Sequence, residues 1–204
     1  GPAARTIAST CPGAIERLEQ LLEGDAATAA ALDASPAVSI PGIVLSQIAT
    51  IEQLRNLGVI INETAGHSQG SLGEMAVDKP AEALALALLM GTAANAVNGS
   101  DTRSQMLSIR GLSRDFITEN LRGATVIAVV NARQHFALSG SPEDLAATRA
   151  ALDSAVQAFN DSLEERTIGG DPLEPQYTEL PVALPFHNAI LAPAAERTVE
   201  LATT

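Results

Sequence analysis

Gly66-His67-Ser68-Gln69-Gly70 leaves this chain little conformational choice at that point, because Gly-x-Ser-x-Gly describes a sharp turn that presents a serine. In a strand-to-helix elbow the serine takes an unfavourable backbone conformation, and the flanking glycines leave room where a Cβ would clash. The hydroxyl of Ser68 then stands at a helix N-terminus. The backbone N–H of Gln69 faces any oxygen that turns negative during attack, which is half of an oxyanion hole. Such a pentapeptide also arises by chance, so its flanks decide. Residues 58–61 (GVII) are predicted to begin a short apolar strand and residues 80–97 to form a helix, so the order is strand, elbow, helix.

Upstream, Ile15, Leu18, Leu21 and Leu22 recur at helical spacing and predict a helix over 13–22, and the alanine-rich stretch 25–33 reads as helix or loop. Pro41 suits position N1 of a further helix reaching about Leu57, with Val44, Ile48, Ile51 and Leu54 on one face and Gly58 just past its end. After residue 100 the pattern alternates. Strands are predicted over 106–111, 125–131, 136–139 and 177–183. Ser113 caps a helix to about Arg122, and Ser141-Pro142-Glu143 opens one to about Phe159. Residues 161–176 read as a loop. The order β-α-β-β-α-β predicts a ferredoxin-like subdomain.

Composition removes several function classes. The net charge of −12 and an aromatic share of 2% exclude nucleic acid as a partner, since phosphate neutralisation needs clustered Lys and Arg. A lone cysteine, Cys11, excludes an internal disulfide framework. His67, His135 and His187 lie far apart without companion cysteines, so no metal site is expected. The longest apolar run, 83–97, is short for a membrane span and carries small and polar residues, and residues 1–10 lack the features of a signal peptide. A soluble, cytoplasmic protein is expected.

A serine hydroxyl needs a base to become a nucleophile at neutral pH. His135, in a tight connection between strands, and His187, just after a strand, compete for that role. Active-site residues of α/β folds commonly follow strands, which favours His187.

With GHSQG at 66–70, VVNARQHFALSG at 129–140 and LPFHN at 184–188, the sequence resembles the acyl-CoA to acyl-carrier-protein transacylases. Within them it is most similar to the acetyl transferase domain of fungal-type (also bacterial) type I fatty acid synthases. The resemblance covers roughly residues 36–195. It implies an α/β fold: an α/β-hydrolase-like core over 1–103 and 188–204 with an inserted ferredoxin-like subdomain over 104–187. It also implies a ping-pong reaction in which Ser68, deprotonated by His187, takes an acetyl group from acetyl-CoA and passes it to the phosphopantetheine thiol of an acyl carrier protein domain.

No cofactor is bound permanently in such a domain, and the other synthase domains, in a homo-oligomeric parent complex, are its partners. The backbone N–H of Gln69 serves the oxyanion, and Met90, Phe186 and Asn131 fall at acyl-pocket positions. Phe186 reads equally as core packing and Asn131 as a turn residue. Met90 stands before Gly91, where malonyl-specific members carry an arginine, so the resemblance implies an uncharged acyl group.

The family's Gly-Gln-Gly segment, source of its second oxyanion donor, has no counterpart before Gly66. The chain ends 17 residues after His187, so a fragment of a larger polypeptide is expected. Arg103, Arg110, Arg114, Arg122 and Arg133 make residues 100–135 locally positive, fit for the phosphates of CoA or an acidic carrier, or simply dispersed over the surface. A malonyl or palmitoyl transferase, a serine hydrolase or thioesterase, and a catalytically silent synthase domain are the alternative readings.

Overall fold

A computed structural model of the chain describes residues 35–98, 103–164 and 170–203. The stretches 13–22 and 25–33 lie outside the described residues. The described residues fall into two compact units, one within 1–99 and 193–204 and the other within 100–192.

In the first unit every described regular element is a helix: α1 (Pro36–Asn56), α2 (Gly70–Asp78), α3 (Pro80–Asn98) and most of α6 (Ala192–Thr203). Helix α1 begins five residues before the expected start. Ser35 is its N-cap residue, Pro36 opens it, and Pro41 lies inside. Pro41, sixth in the helix, has no N–H to offer Ala37 O, so α1 lacks one intrahelical bond there. The C-terminus behaves as Gly58 suggests. Gly58 takes φ +82°, its N–H bonds Arg55 O at 2.9 Å, and Val59 N–H bonds Leu54 O at 3.0 Å, which is a Schellman stop.

Residues 58–61 form no strand, which corrects the expectation. No described strand of this unit pairs with them, and Ile60 is 80% exposed, whereas a strand persists only where neighbours take up its backbone groups. The sheet of an α/β-hydrolase-like core is therefore not among the described residues.

Helices α1 and α3 approach closely because Gly91 lacks a side chain: a Cβ there would come within 2.5 Å of Pro36 O. Val38, Ile40 and Val44 of α1 and Ala83, Ala87, Leu88, Ala93 and Ala94 of α3 are buried. By length and apolar composition alone both helices could cross a membrane, so the shortness of 83–97 excludes nothing by itself.

The second unit runs β1 (Met106–Arg110), α4 (Arg114–Asn120), β2 (Val126–Ala132), β3 (His135–Ser139), α5 (Pro142–Glu164), β4 (Gln176–Glu179) and a 3-10 turn (Ala189–Leu191). The four strands make one sheet in the order β2-β3-β1-β4, every pairing antiparallel. Leu107, Ile109, Phe136 and Leu138 alternate onto one face and pack with Leu112, Ile117, Leu145, Leu152 and Val156 into the core.

Ser113 caps α4 as expected, accepting from Phe116 N–H at 3.3 Å. Strand β4 stops at Glu179 rather than 183, since its partner β1 pairs only over Leu107–Arg110. Helix α5 runs five residues beyond the expected Phe159.

Candidate active site

Ser68 and His187 are the two non-glycine residues with positive φ among the described residues, at +54° and +58°. A left-handed residue with a Cβ costs roughly 1–3 kcal/mol and persists only where its surroundings over-determine it. The two strained residues coincide with the nucleophile and the base expected from the sequence.

The Ser68 turn is shaped by its own chain. Bonds from Gly70 N–H to His67 O (2.9 Å), Ser71 N–H to Ser68 O (3.0 Å) and Leu72 N–H to Gln69 O (3.0 Å) wind it directly into α2. A Cβ on Gly66 would meet Ser71 Cα at 2.5 Å and Gly70 C at 2.7 Å, so only glycine fits at the first flank. Nothing lies within 4 Å of a Cβ on Gly70, so the second glycine is not sterically required. Gln69 is the N-cap residue of α2, and its Nε2 donates to Ile40 O of α1 at 2.8 Å. That bond fixes the residue whose backbone N–H begins the helix. Ser68 and His67 are exposed.

The His187 turn carries short-range bonds of its own, Phe186 N–H to Leu184 O (2.9 Å) and Asn188 N–H to Pro185 O (3.2 Å), and is tied as well to groups distant in sequence within the second unit. Gln105 N–H and Nε2 donate to Val182 O and Ala183 O, each at 2.8 Å, and Gly140 N–H donates to Gln105 O at 3.2 Å. Asn188 Nδ2 donates to Ala124 O (3.0 Å) and Ser139 O (3.1 Å), while its Oδ1 accepts from Ile190 N–H (3.1 Å). The sequence reading missed Gln105 and Asn188. Asn188 stands inside the LPFHN motif, and its position after the histidine was the available signal. His187 is exposed and Phe186 half-buried.

The other expected site residues lie on different elements. Met90 sits on α3 in the first unit, 37% exposed. Asn131 is neither a strand end nor a turn: it is the extra residue of a bulge in β2, between Val130, paired with Phe136, and Ala132, paired with His135.

His135 Nε2 lies 3.1 Å from Ser108 Oγ across the sheet. His135 also lines, with Arg110 and Arg133, a shallow hollow of about 410 Å³. Arg103 pairs with Glu143 at 2.6 Å. Among the described residues no cluster of His, Cys, Asp and Glu could hold a metal ion.

Residues 98–179 match the fatty acid synthase central AT domain family. The highly reducing polyketide synthase Dhc3 of Alternaria cinerariae is 30% identical over 128 residues, covering 58% of this chain and 5% of that synthase. The chain therefore spans about one-twentieth of that relative's length. Among solved structures, the acyltransferase domain of an iterative polyketide synthase in enediyne biosynthesis is 28% identical with a TM-score of 0.64, over 83% of this chain and 41% of that one. FabD from Acinetobacter baumannii shares the fold at 20% identity, with a TM-score of 0.68 over 96% of this chain and 62% of its own. The fold is the mixed α/β fold of these acyltransferase domains.

Proposed function

We propose that this protein is an acyltransferase of the fatty acid or polyketide synthase type, acting as one domain of a larger cytoplasmic, homo-oligomeric synthase. The observation that carries the reading is Ser68, held left-handed at the start of α2 in a turn where only glycine fits at position 66. The match of the following segment to a synthase AT domain supports it. The β-α-β-β-α-β unit is then the ferredoxin-like insert of that domain.

In the proposed reaction His187 takes the proton of Ser68 as Oγ attacks the thioester carbonyl of an acyl-CoA. The oxyanion meets the backbone N–H of Gln69, the C–S bond breaks, and the CoA thiol leaves with the proton from His187. The carrier's phosphopantetheine thiol repeats these steps in reverse on the acyl-serine. No permanently bound cofactor is required.

Acetyl is the proposed acyl group. No Lys or Arg occurs between Lys79 and Arg103, so α3, with Met90 before Gly91, offers no cation to a malonyl carboxylate. A carboxylate desolvated without a partner costs several kcal/mol, which at about 1.4 kcal/mol per tenfold is discrimination of about a hundredfold or more. The test is the mass of Ser68-containing peptides after exposure to an equimolar mixture of acetyl-CoA and malonyl-CoA. An acetyl adduct on Ser68, absent from Ser68→Ala and shifted toward malonyl in Met90→Arg, is the expected result. An adduct on another residue would refute the mechanism, and malonyl predominating in the unmodified protein would refute the acetyl assignment alone.

A further inference from the structure

We propose that Asn188 is the positioning residue for His187, clamping the strained turn to the end of β3 and to the turn that leads into β2; the proposal rests on the reading of His187 as the base. Its amide makes three hydrogen bonds of two kinds. Nδ2 donates to Ala124 O, just before β2, and to Ser139 O, the last residue of β3, while Oδ1 accepts from Ile190 N–H. Two carbonyls and one N–H admit a single orientation of the amide.

Ser139 is buried at the end of β3, and Ala124, exposed in the turn before β2, is itself held by its N–H bond to Asp144 Oδ2 at 3.1 Å and adjoins the buried Thr125. The next residue back, His187, is exposed and left-handed, a conformation that a residue with a Cβ holds only when its surroundings impose it. Asn188 thus transmits the position of the sheet to the backbone that carries the imidazole. Without that anchor the strained backbone would relax and carry the ring away from the reacting proton.

The competing role for Asn188 is simply to cap the 3-10 turn through Oδ1. Aspartate caps as well as asparagine does, so a cap survives Asn188→Asp. A clamp does not, because a carboxylate has no proton for Ala124 O and Ser139 O and repels both.

The experiment measures single-turnover acetylation of Ser68 by acetyl-CoA in the intact protein and in Asn188→Ala and Asn188→Asp, across pH. Rates are compared at the pH of each variant's own maximum, so that a displaced pH profile is not mistaken for a loss of positioning. We expect the acylation rate constant to fall on the order of 10- to 100-fold in both variants, as for a misplaced catalytic group, with the acetyl-CoA concentration that gives half the maximal rate little changed. The His187 ring resonances should broaden or shift in both while those of His135 stay in place. A full acylation rate in Asn188→Asp, or an unchanged rate in Asn188→Ala, would overturn the proposal. If the unmodified protein forms no acetyl-Ser68, the acyltransferase reading falls by itself. The ring resonances then decide: perturbation of His187 in both variants supports the clamp, and an unperturbed His187 in either overturns it.

Discussion

The two strained turns reach the same backbone conformation with a different balance of near and distant contacts. Around Ser68 the constraint is steric and local: Gly66 lies against Ser71, and three short-range bonds feed the chain into α2. Around His187 short-range bonds are joined by long-range polar ones, with Gln105 and Asn188 tying the turn to the edge of the sheet and the turn before β2. The lesson is that a glycine-bounded elbow can be recognised from five residues. A turn hung on a sheet is recognisable only once the sheet exists.

The widest test of this contrast is the base itself. His187→Ala is expected to slow acylation of Ser68 by roughly 10²–10⁴-fold, the usual worth of a positioned base, and His135→Ala by little. His135 holds Ser108 across the sheet, and its loss costs one part-buried hydrogen bond. Rates from rapid-quench acylation would decide between them, and a larger effect at His135 would reverse the assignment.

The elbow offers an internal control. Gly66→Ala must move the backbone at Ser71 and is expected to lower the acylation rate by about 100-fold, as for a nucleophile displaced by about an ångström. Gly70→Ala meets open space and should leave the rate near that of the unmodified protein, with stability unchanged or raised by about 0.4–1 kcal/mol. Equal effects from the two glycines would show that the local steric account is wrong.

A smaller effect is expected where packing alone is at stake. In Gly91→Ala the new methyl would press on Pro36 O, and overpacking of this kind costs typically about 1–3 kcal/mol. Denaturant unfolding of the first unit should show that loss.

The smallest effect belongs to the polar periphery of the second unit. Burial first, and the Asp153 carboxylate second, push the Tyr177 phenol above its ordinary value of 10, against the opposing charge of Arg149. The folded protein therefore keeps this proton where the unfolded chain releases it. The associated stability is complete below about pH 10 and is lost as pH rises toward the folded value. Tyr177→Phe should flatten the alkaline loss of stability without altering acylation, and an unchanged profile in thermal melts above pH 10 would count against it.

Whatever depends on near neighbours in the chain is legible in the sequence alone. The Schellman stop at Gly58, the Ser113 cap, the alternation of Leu107 and Ile109 and the elbow at Gly66 all follow from φ limits, short-range hydrogen bonds and side-chain period. Other features depend on groups far along the chain. The start of α1 at Pro36 is matched by Gly91 on α3, residues 58–61 form no strand where none pairs with them, and β4 ends where β1 does. The bulge at Asn131 is a property of two strands rather than one. Asn188 reaches carbonyls 49 and 64 residues away, and no rule of neighbours along the chain could have paired them. Backbone sterics are carried by a residue and those beside it, whereas a hydrogen bond or a packed face exists only when folding delivers its partner.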